Sequence, residues 1–269
     1  QDAGAPALGA VYGYDPGIIA VEWRAWLQLL SGWPDQAARS YALAGTYATA
    51  QAHPLSLATT MTHHAIFLAM AGDVTATRIR ASEAAAFSRT NNILIREAEA
   101  QIIEGWARAE QGDAEAGIAE TEAALAIWGS PGARIFDSFW YLLLARAYKA
   151  GKRFVDARRA LDTAVQAAED HGEGLIRAEL LRFEGDLHLA GHDHSAAERC
   201  YRDAVACAGL QGARLLELRA ATSLARLLHE RGEDAAALAV LAPVQAWFSE
   251  GFSRIDLQDA AALLAELTN

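Results

Sequence analysis

The stretch "LLLARAYKAGKRFVDARRALDTAV", residues 142–165, decides the fold class because it contains two amphipathic helical patterns joined by a glycine. Apolar or small residues recur in it at three- and four-residue steps, without the alternation typical of a strand. Gly151 lies at the break, where glycine can end a helix in a left-handed conformation. The stretch therefore predicts a helical hairpin.

The hairpin pattern recurs along the chain with a regular period. Its turn glycines have spacings of 40, 40, 39, 40 and 41, at Gly32, Gly72, Gly112, Gly151, Gly191 and Gly232. Small residues recur in fixed phase with these glycines, at Ala44, Ala84, Ala124, Ala164 and Ala204, and at Ala37, Thr77, Gly117, Ala157 and Ala197. Small side chains let two helix axes approach to about 8–10 Å, so we expect these positions at helix crossings.

The repeats predict an all-α, right-handed solenoid of about six helical hairpins. We expect an N-terminal extension over 1–15, a repeat domain over 16–255 and a capping helix over 256–269. Each repeat glycine is expected to be left-handed, and Asp73, Asp113 and Ser195 are expected to cap the helices that follow.

The last helix is expected to run from Leu257 to about Leu267, with Asp256 as its N-cap. A terminal repeat must cover the apolar end of the stack, so this helix needs one buried side. The residues expected to pack in or beneath it are Leu257, Leu263, Leu264, Leu267, Trp247, Phe248 and Phe252.

Residues 142–165 resemble a tetratricopeptide repeat (TPR). The matching positions are Leu144, Ala145, Tyr148, Gly151, Ala157 and Ala164. The period differs, because that family repeats every ~34 residues. The chain also resembles a narrower group, the C-terminal helical repeat region of bacterial class III adenylate cyclase and AAA-type ATPase signalling proteins. The similar stretches include "YGYDPGIIAVEWRAWLQLLSGWPDQA", residues 12–37, and "LELRAATSLARLLHERGE", residues 216–233.

This resemblance implies a non-catalytic, cytoplasmic, regulatory protein-interaction module of a bacterial multidomain signalling protein. Its concave groove would bind a peptide, a protein partner or a sister domain, and a cyclase or ATPase would lie upstream. Two alternatives stay open: a sensor that responds to a metal or small ligand, and a homodimerisation module.

Composition and motifs exclude several other classes. A net charge of −11 disfavours nucleic-acid binding, and no stretch of 18 uncharged apolar residues suggests a membrane span. The only Gly-Lys pair, Gly151-Lys152, is followed by Arg153, so no phosphate-binding loop is present. No zinc-protease motif or nucleophile elbow occurs either. We therefore expect neither catalysis nor a cofactor.

The repeat phase suggests which residues would line the groove. Trp26 and Trp106 lie six residues before a turn glycine, on the side of the first helix that faces the groove in TPR folds. Arg146, Asp186 and Arg226 lie at or near the same phase. Buried tryptophans beside exposed charges would explain the pattern equally well.

The stretch "HLAGHDHSAAE", residues 188–198, raises the question of a metal site. His188, His192 and His194, with Glu198, are residue types that suit zinc. However, Gly191 is expected to end the helix between them, so their convergence is not ensured. We expect a polar turn without a native metal and keep the three histidines as the alternative.

Overall fold

The computed structural model describes residues 15–129 and 135–268, and those ranges contain thirteen α-helices and no strand. The helices are α1 (Pro16–Leu30), α2 (Pro34–Gln51), α3 (Pro54–Met70), α4 (Val74–Thr90), α5 (Leu94–Glu110), α6 (Ala114–Gly129), α7 (Asp137–Ala150), α8 (Phe154–His171), α9 (Arg177–Ala190), α10 (His194–Gln211), α11 (Arg214–Glu230), α12 (Asp234–Gln245) and α13 (Ile255–Leu267). A short 3₁₀ helix, Gly174–Ile176, precedes α9. The predicted all-α repeat of six helical hairpins and a final helix is confirmed. Residues 1–14 of the predicted N-terminal extension lie outside the described residues.

The helices belong to two compact units. The first contains residues 15–29 and 35–129, and the second contains residues 30–34 and 135–268. Within each unit, helices that follow one another in the chain pack together, as α5 does with α6 and α9 with α10. The first helices of neighbouring hairpins also contact each other, as α3 does with α5 and α9 with α11. We call the odd-numbered helices the first helices and the even-numbered ones the second helices.

Left-handed residues terminate the helices at regular intervals. Inside the hairpins they stand one full repeat apart, at Gly32, Gly72, Gly112, Lys152, His192 and Gly232. Between hairpins they stand at Ala52, Asn92, Gly172 and Gly212. Each member of the second series lies midway between two members of the first, so one helix with its turn makes up half of the repeat.

Two of the predicted turn glycines are not left-handed, which corrects the sequence analysis. Gly151 and Gly191 have φ of −78° and −87°, and the following residues, Lys152 and His192, have φ of +57° and +62°. The glycine spacings of 39 and 41 have the same cause. The backbone keeps a strictly constant period, while the glycine shifts by one position in these two turns.

The small residues of fixed phase are buried, as expected. Their exposed fraction is at most 2% at Ala44, Ala84, Ala124, Ala164 and Ala204. In the hairpin of α5 and α6, the helices approach so closely that a Cβ atom on Gly105 would lie 2.7 Å from the carbonyl oxygen of Gly117. A side chain at either glycine would push the two helices apart.

Some helix ends differ from the prediction. Asp73 caps α4 by accepting a hydrogen bond from the Ala76 amide, as expected. Ser195 is not a cap, because α10 begins one residue before it and Asp193 accepts from the Ala196 amide instead. The last helix begins at Ile255, so Asp256 lies inside its first turn.

The C-terminal end of the second unit has an apolar core beneath α13. Leu257, Leu263 and Leu267 are buried with Phe248, while Leu264 is only partly buried. The prediction was wrong for Phe252, which is exposed, and Trp247 is 37% exposed beside Trp33. The preceding helix, α12, contains Pro243 and is 12 residues long, whereas the other second helices have 16–18 residues.

The left-handed turns allow a paired test of backbone conformation. Gly112 has φ of +101° and open space around its α-carbon, so Gly112→Ala should lower the free energy of unfolding by about 1 kcal/mol. Gly191→Ala is the matched control, because its φ is negative and its Cβ would meet nothing closer than 3.4 Å. Urea unfolding followed by circular dichroism measures both. Equal midpoints for the two variants would contradict the assignment of the turns.

Candidate functional site

A series of interacting charged side chains connects the first helices of the second unit, and we call this series the charged face. Its members lie on α7, α9, α11 and α13, and they are Arg146, Lys149, Glu179, Arg182, Asp186, Arg219 and Asp256. The repeat period aligns them, since it relates Glu179 to Arg219 and Arg146 to Asp186. Charges of opposite sign therefore occupy equivalent positions on neighbouring first helices.

The centre of the charged face is the triad of Glu179, Arg182 and Asp186 on α9. Residues three and four apart share one side of a helix, so one arginine reaches both carboxylates. The Arg182 guanidinium donates to Glu179 at 2.7 and 3.0 Å and to Asp186 at 3.2 and 3.3 Å. All three side chains are at most 17% exposed. The triad is thus a nearly buried ion network.

Neighbouring helices extend this triad in both directions. From α7, Lys149 Nζ contacts Asp186 at 3.1 Å, and an Arg146 nitrogen lies 3.9 Å from Glu179. From α10, the Tyr201 hydroxyl donates to Asp186 at 2.9 Å. On the far side, Arg219 of α11 donates two 2.8 Å hydrogen bonds to Asp256 of α13.

The network keeps both acids of the triad ionised. Burial opposes ionisation of Glu179, but Arg182, Arg219 and Arg146 outweigh it and lower the pKa from 4.5 to about 2. Burial likewise opposes ionisation of Asp186, and Arg182 with Lys149 again lowers the pKa. Both carboxylates are therefore charged at neutral pH.

The charged face has an excess of positive charge. Four cations, Arg146, Lys149, Arg182 and Arg219, stand against three carboxylates. Arg226 lies at the phase of Arg146 and Asp186, is exposed, and pairs with no carboxylate among the described residues. An exposed arginine that extends the phase of an ordered ion network is the feature that most suggests a binding site.

The structure corrects the position of two predicted groove residues. Trp26 and Trp106, both in the first unit, are 1% and 0% exposed and therefore offer no side-chain surface to a partner. The Trp26 ring packs 5.1 Å from His63 and 5.5 Å from Trp23, while Trp106 Nε1 donates to Glu110 at 3.0 Å. Burial of such large apolar rings stabilises the core, so these two tryptophans are core residues.

The other three predicted residues lie in the second unit. Arg146 and Asp186 belong to the charged face. Arg226 is exposed and lies one repeat after Asp186, on α11. Sequence reasoning missed Lys149, Glu179, Arg182 and Arg219, and considered Asp256 only as a helix cap. The signal that could have found them is the pairing of opposite charges at equal phase, with Glu179 one repeat before Arg219.

The three histidines of residues 188–198 do not form one site. His192 is the left-handed turn residue and His194 begins α10, and both are exposed. Glu198 accepts hydrogen bonds from Arg202 and Arg231, which lower its pKa. Among the described residues, the group of potential metal ligands that includes His188 contains neither of the other two histidines.

The fold and its charged face define an all-α helical-hairpin repeat protein. The chain is similar in fold to BtubC (BKLC) from P. vanneervenii, with a TM-score of 0.50 and 14% sequence identity over 94% of this chain and 91% of that one. No protein-family model and no curated protein matches the sequence. None of the described helices combines the length and apolar character that crossing a bilayer requires.

The triad predicts a defined loss of stability in acid. The pKa of Glu179 is lower in the folded state, so its stabilising effect is complete above pH 4.5 and is lost as the pH falls towards about 2. Glu179→Gln should remove this component and lower the free energy of unfolding at pH 7 by about 3 kcal/mol, because Arg182 loses the closer of its two carboxylate partners.

Urea unfolding at several pH values measures this effect. Asp259→Asn is the matched control, since Asp259 is an exposed carboxylate two repeats after Glu179. We expect the control to keep the acid dependence of the wild type. A Glu179→Gln variant with unchanged stability would show that the triad contributes nothing to folding.

Proposed function

We propose that this chain is a non-catalytic, TPR-like protein-interaction module that binds an acidic peptide segment on its charged face. The segment belongs to a partner protein or to another domain of the same polypeptide. The observation that carries this proposal is exposed Arg226, which lacks a carboxylate partner among the described residues and follows the phase of a cation-rich ion network.

The construction of the face supports recognition of carboxylates. Guanidinium groups match carboxylates with two parallel hydrogen bonds, which give both affinity and orientation. The cations of the charged face are already held by Glu179, Asp186 and Asp256. Because these side chains are ordered before a partner arrives, less conformational entropy is lost on binding. Helices, unlike loops, also hold such groups at fixed distances.

The surrounding protein is also part of the proposal. We infer that the module regulates a bacterial, cytoplasmic multidomain signalling protein of the adenylate cyclase or AAA-type ATPase class. Support comes from the similarity of residues 12–37 and 216–233 to the C-terminal repeat regions of such proteins. The sequence encoded upstream of Gln1 tests this part directly. A cyclase or ATPase module there is the expected result, and a different class of domain would overturn it.

A peptide-display selection on the immobilised 269-residue chain tests the binding site. We expect the enriched peptides to contain clustered Asp and Glu, with an affinity that falls as salt is raised. Arg226→Glu should weaken an enriched peptide roughly 10-fold or more, because it replaces attraction by repulsion. Arg199→Glu is the matched control, since Arg199 is exposed on the second helix α10 and is not a member of the charged face. Fluorescence anisotropy with one labelled peptide measures all three proteins.

Two outcomes would contradict the proposed site. Enriched peptides that are basic or apolar would exclude recognition of carboxylates. An equal loss of affinity in both variants would show that Arg226→Glu acts through the net charge of the protein and not through a local contact. Sedimentation velocity tests the alternative that the chain is a homodimerisation module. A dimer of the wild type that becomes a monomer in Arg226→Glu would assign the charged face to self-association.

A further inference from the structure

Three side chains of different chemistry converge on the surface between α9 and α10. They are Glu184 and His188, four residues apart on α9, and Cys200 on α10. One ligand atom from each lies within 4.8 Å of the other two, and His188 Nε2 is 3.9 Å from Glu184 Oε1. All three residues are half-buried, so solvent reaches the group.

These distances are close to those of a metal site. Tetrahedral zinc with bonds of about 2.1 Å to nitrogen or oxygen and 2.3 Å to sulfur places its ligands roughly 3.5 Å apart. Closing the remaining gap takes small side-chain rotations, which half-buried residues can make. The position of the ligands on two packed helices fixes their backbones, so no refolding is needed to bring them together.

Two of the three ligands can be anionic. A Glu184 carboxylate and a Cys200 thiolate together would balance a charge of +2. Arg158 of α8 donates to Glu184 Oε1 at 2.8 Å and is itself paired with Asp162 at 3.2 Å. This contact orients the Glu184 side chain and leaves Oε2 without a hydrogen bond among the described residues, as outer-shell partners of metal ligands commonly do.

The donor set selects the class of metal. Thiolate and imidazole ligands suit zinc and its neighbours in the first transition row, whereas magnesium and calcium require oxygen ligands. Metal coordination is a chemistry that uses all three groups together.

We propose that Glu184, His188 and Cys200 bind one divalent metal ion of the zinc class, with the fourth position open to water or to an exogenous ligand. The site shares only His188 with the histidine set considered from the sequence. It is independent of the charged face, so either can exist without the other.

Cobalt titration of the purified, chelator-treated 269-residue chain tests the site. Co²⁺ bound by a thiolate gives a charge-transfer band in the near ultraviolet, which reports Cys200 as a ligand. We expect saturation at one Co²⁺ per chain and displacement by one Zn²⁺. Absence of a saturable band in the wild type would overturn the proposal.

Matched variants separate this site from other thiols and histidines. Cys200→Ala should abolish the band, whereas Cys207→Ala should keep it. His188→Ala should raise the dissociation constant roughly 10-fold or more, whereas His194→Ala should leave it unchanged. Circular dichroism checks the fold of each variant, and Cys200→Ser replaces Cys200→Ala if the latter does not fold. A band that persists without the Cys200 thiol, or that is lost equally in His194→Ala, would refute the assigned ligands.

Discussion

The left-handed residue that follows the helices in the described turns from Gly32 to Gly232 is the constraint on which the rest of the structure depends. Such residues are evenly spaced along the described turns, as at Gly72, Asn92 and Gly112. Each helix with its turn therefore has the same length, and equivalent positions recur in successive repeats. Small residues at equivalent positions are then buried in each hairpin, as Ala84 and Ala164 are. The repeat is therefore a property of backbone conformation first and of residue type second. Where glycine is absent, the structure tolerates the cost of this conformation at other residue types.

The same periodicity arranges charge as well as packing. Glu179 and Arg219 are equivalent positions on neighbouring first helices and attract each other. Arg146 and Asp186 are likewise equivalent positions of opposite charge. Such networks add little net stability when their desolvation is counted, but they are costly to leave incomplete. Their effect is then positional, because they hold guanidinium groups in fixed places.

The sequence was sufficient to predict the hairpins, their period and the buried small residues, because these depend on local helix physics and on steric size. The left-handed residue was predicted one position too early at Gly151 and Gly191. A glycine in the sequence indicates where a turn lies but not which residue of the turn is left-handed. Trp26 was assigned to a surface from its phase alone. Phase fixes the direction of a side chain on its helix, whereas burial depends on everything packed above it. Convergence of Cys200 with His188 depends on how α9 and α10 pack, which spacing along the chain does not specify.

Pro243 gives the array a boundary of its own. Proline cannot donate a hydrogen bond to the preceding turn of a helix and crowds the carbonyl four residues earlier. Of the second helices, α12 contains Pro243 near its end and is shorter than the others. The next left-handed residue after Gly232 is Gly251. It lies one position before the place that the regular spacing of the other turns predicts. The residues that end the series of hairpins are thus local to α12 and the turn after it, and they differ from the residues that repeat along the chain. Duplication of one repeat upstream would lengthen the array by one hairpin without any change to its terminus, which makes repeat number an easily evolved trait.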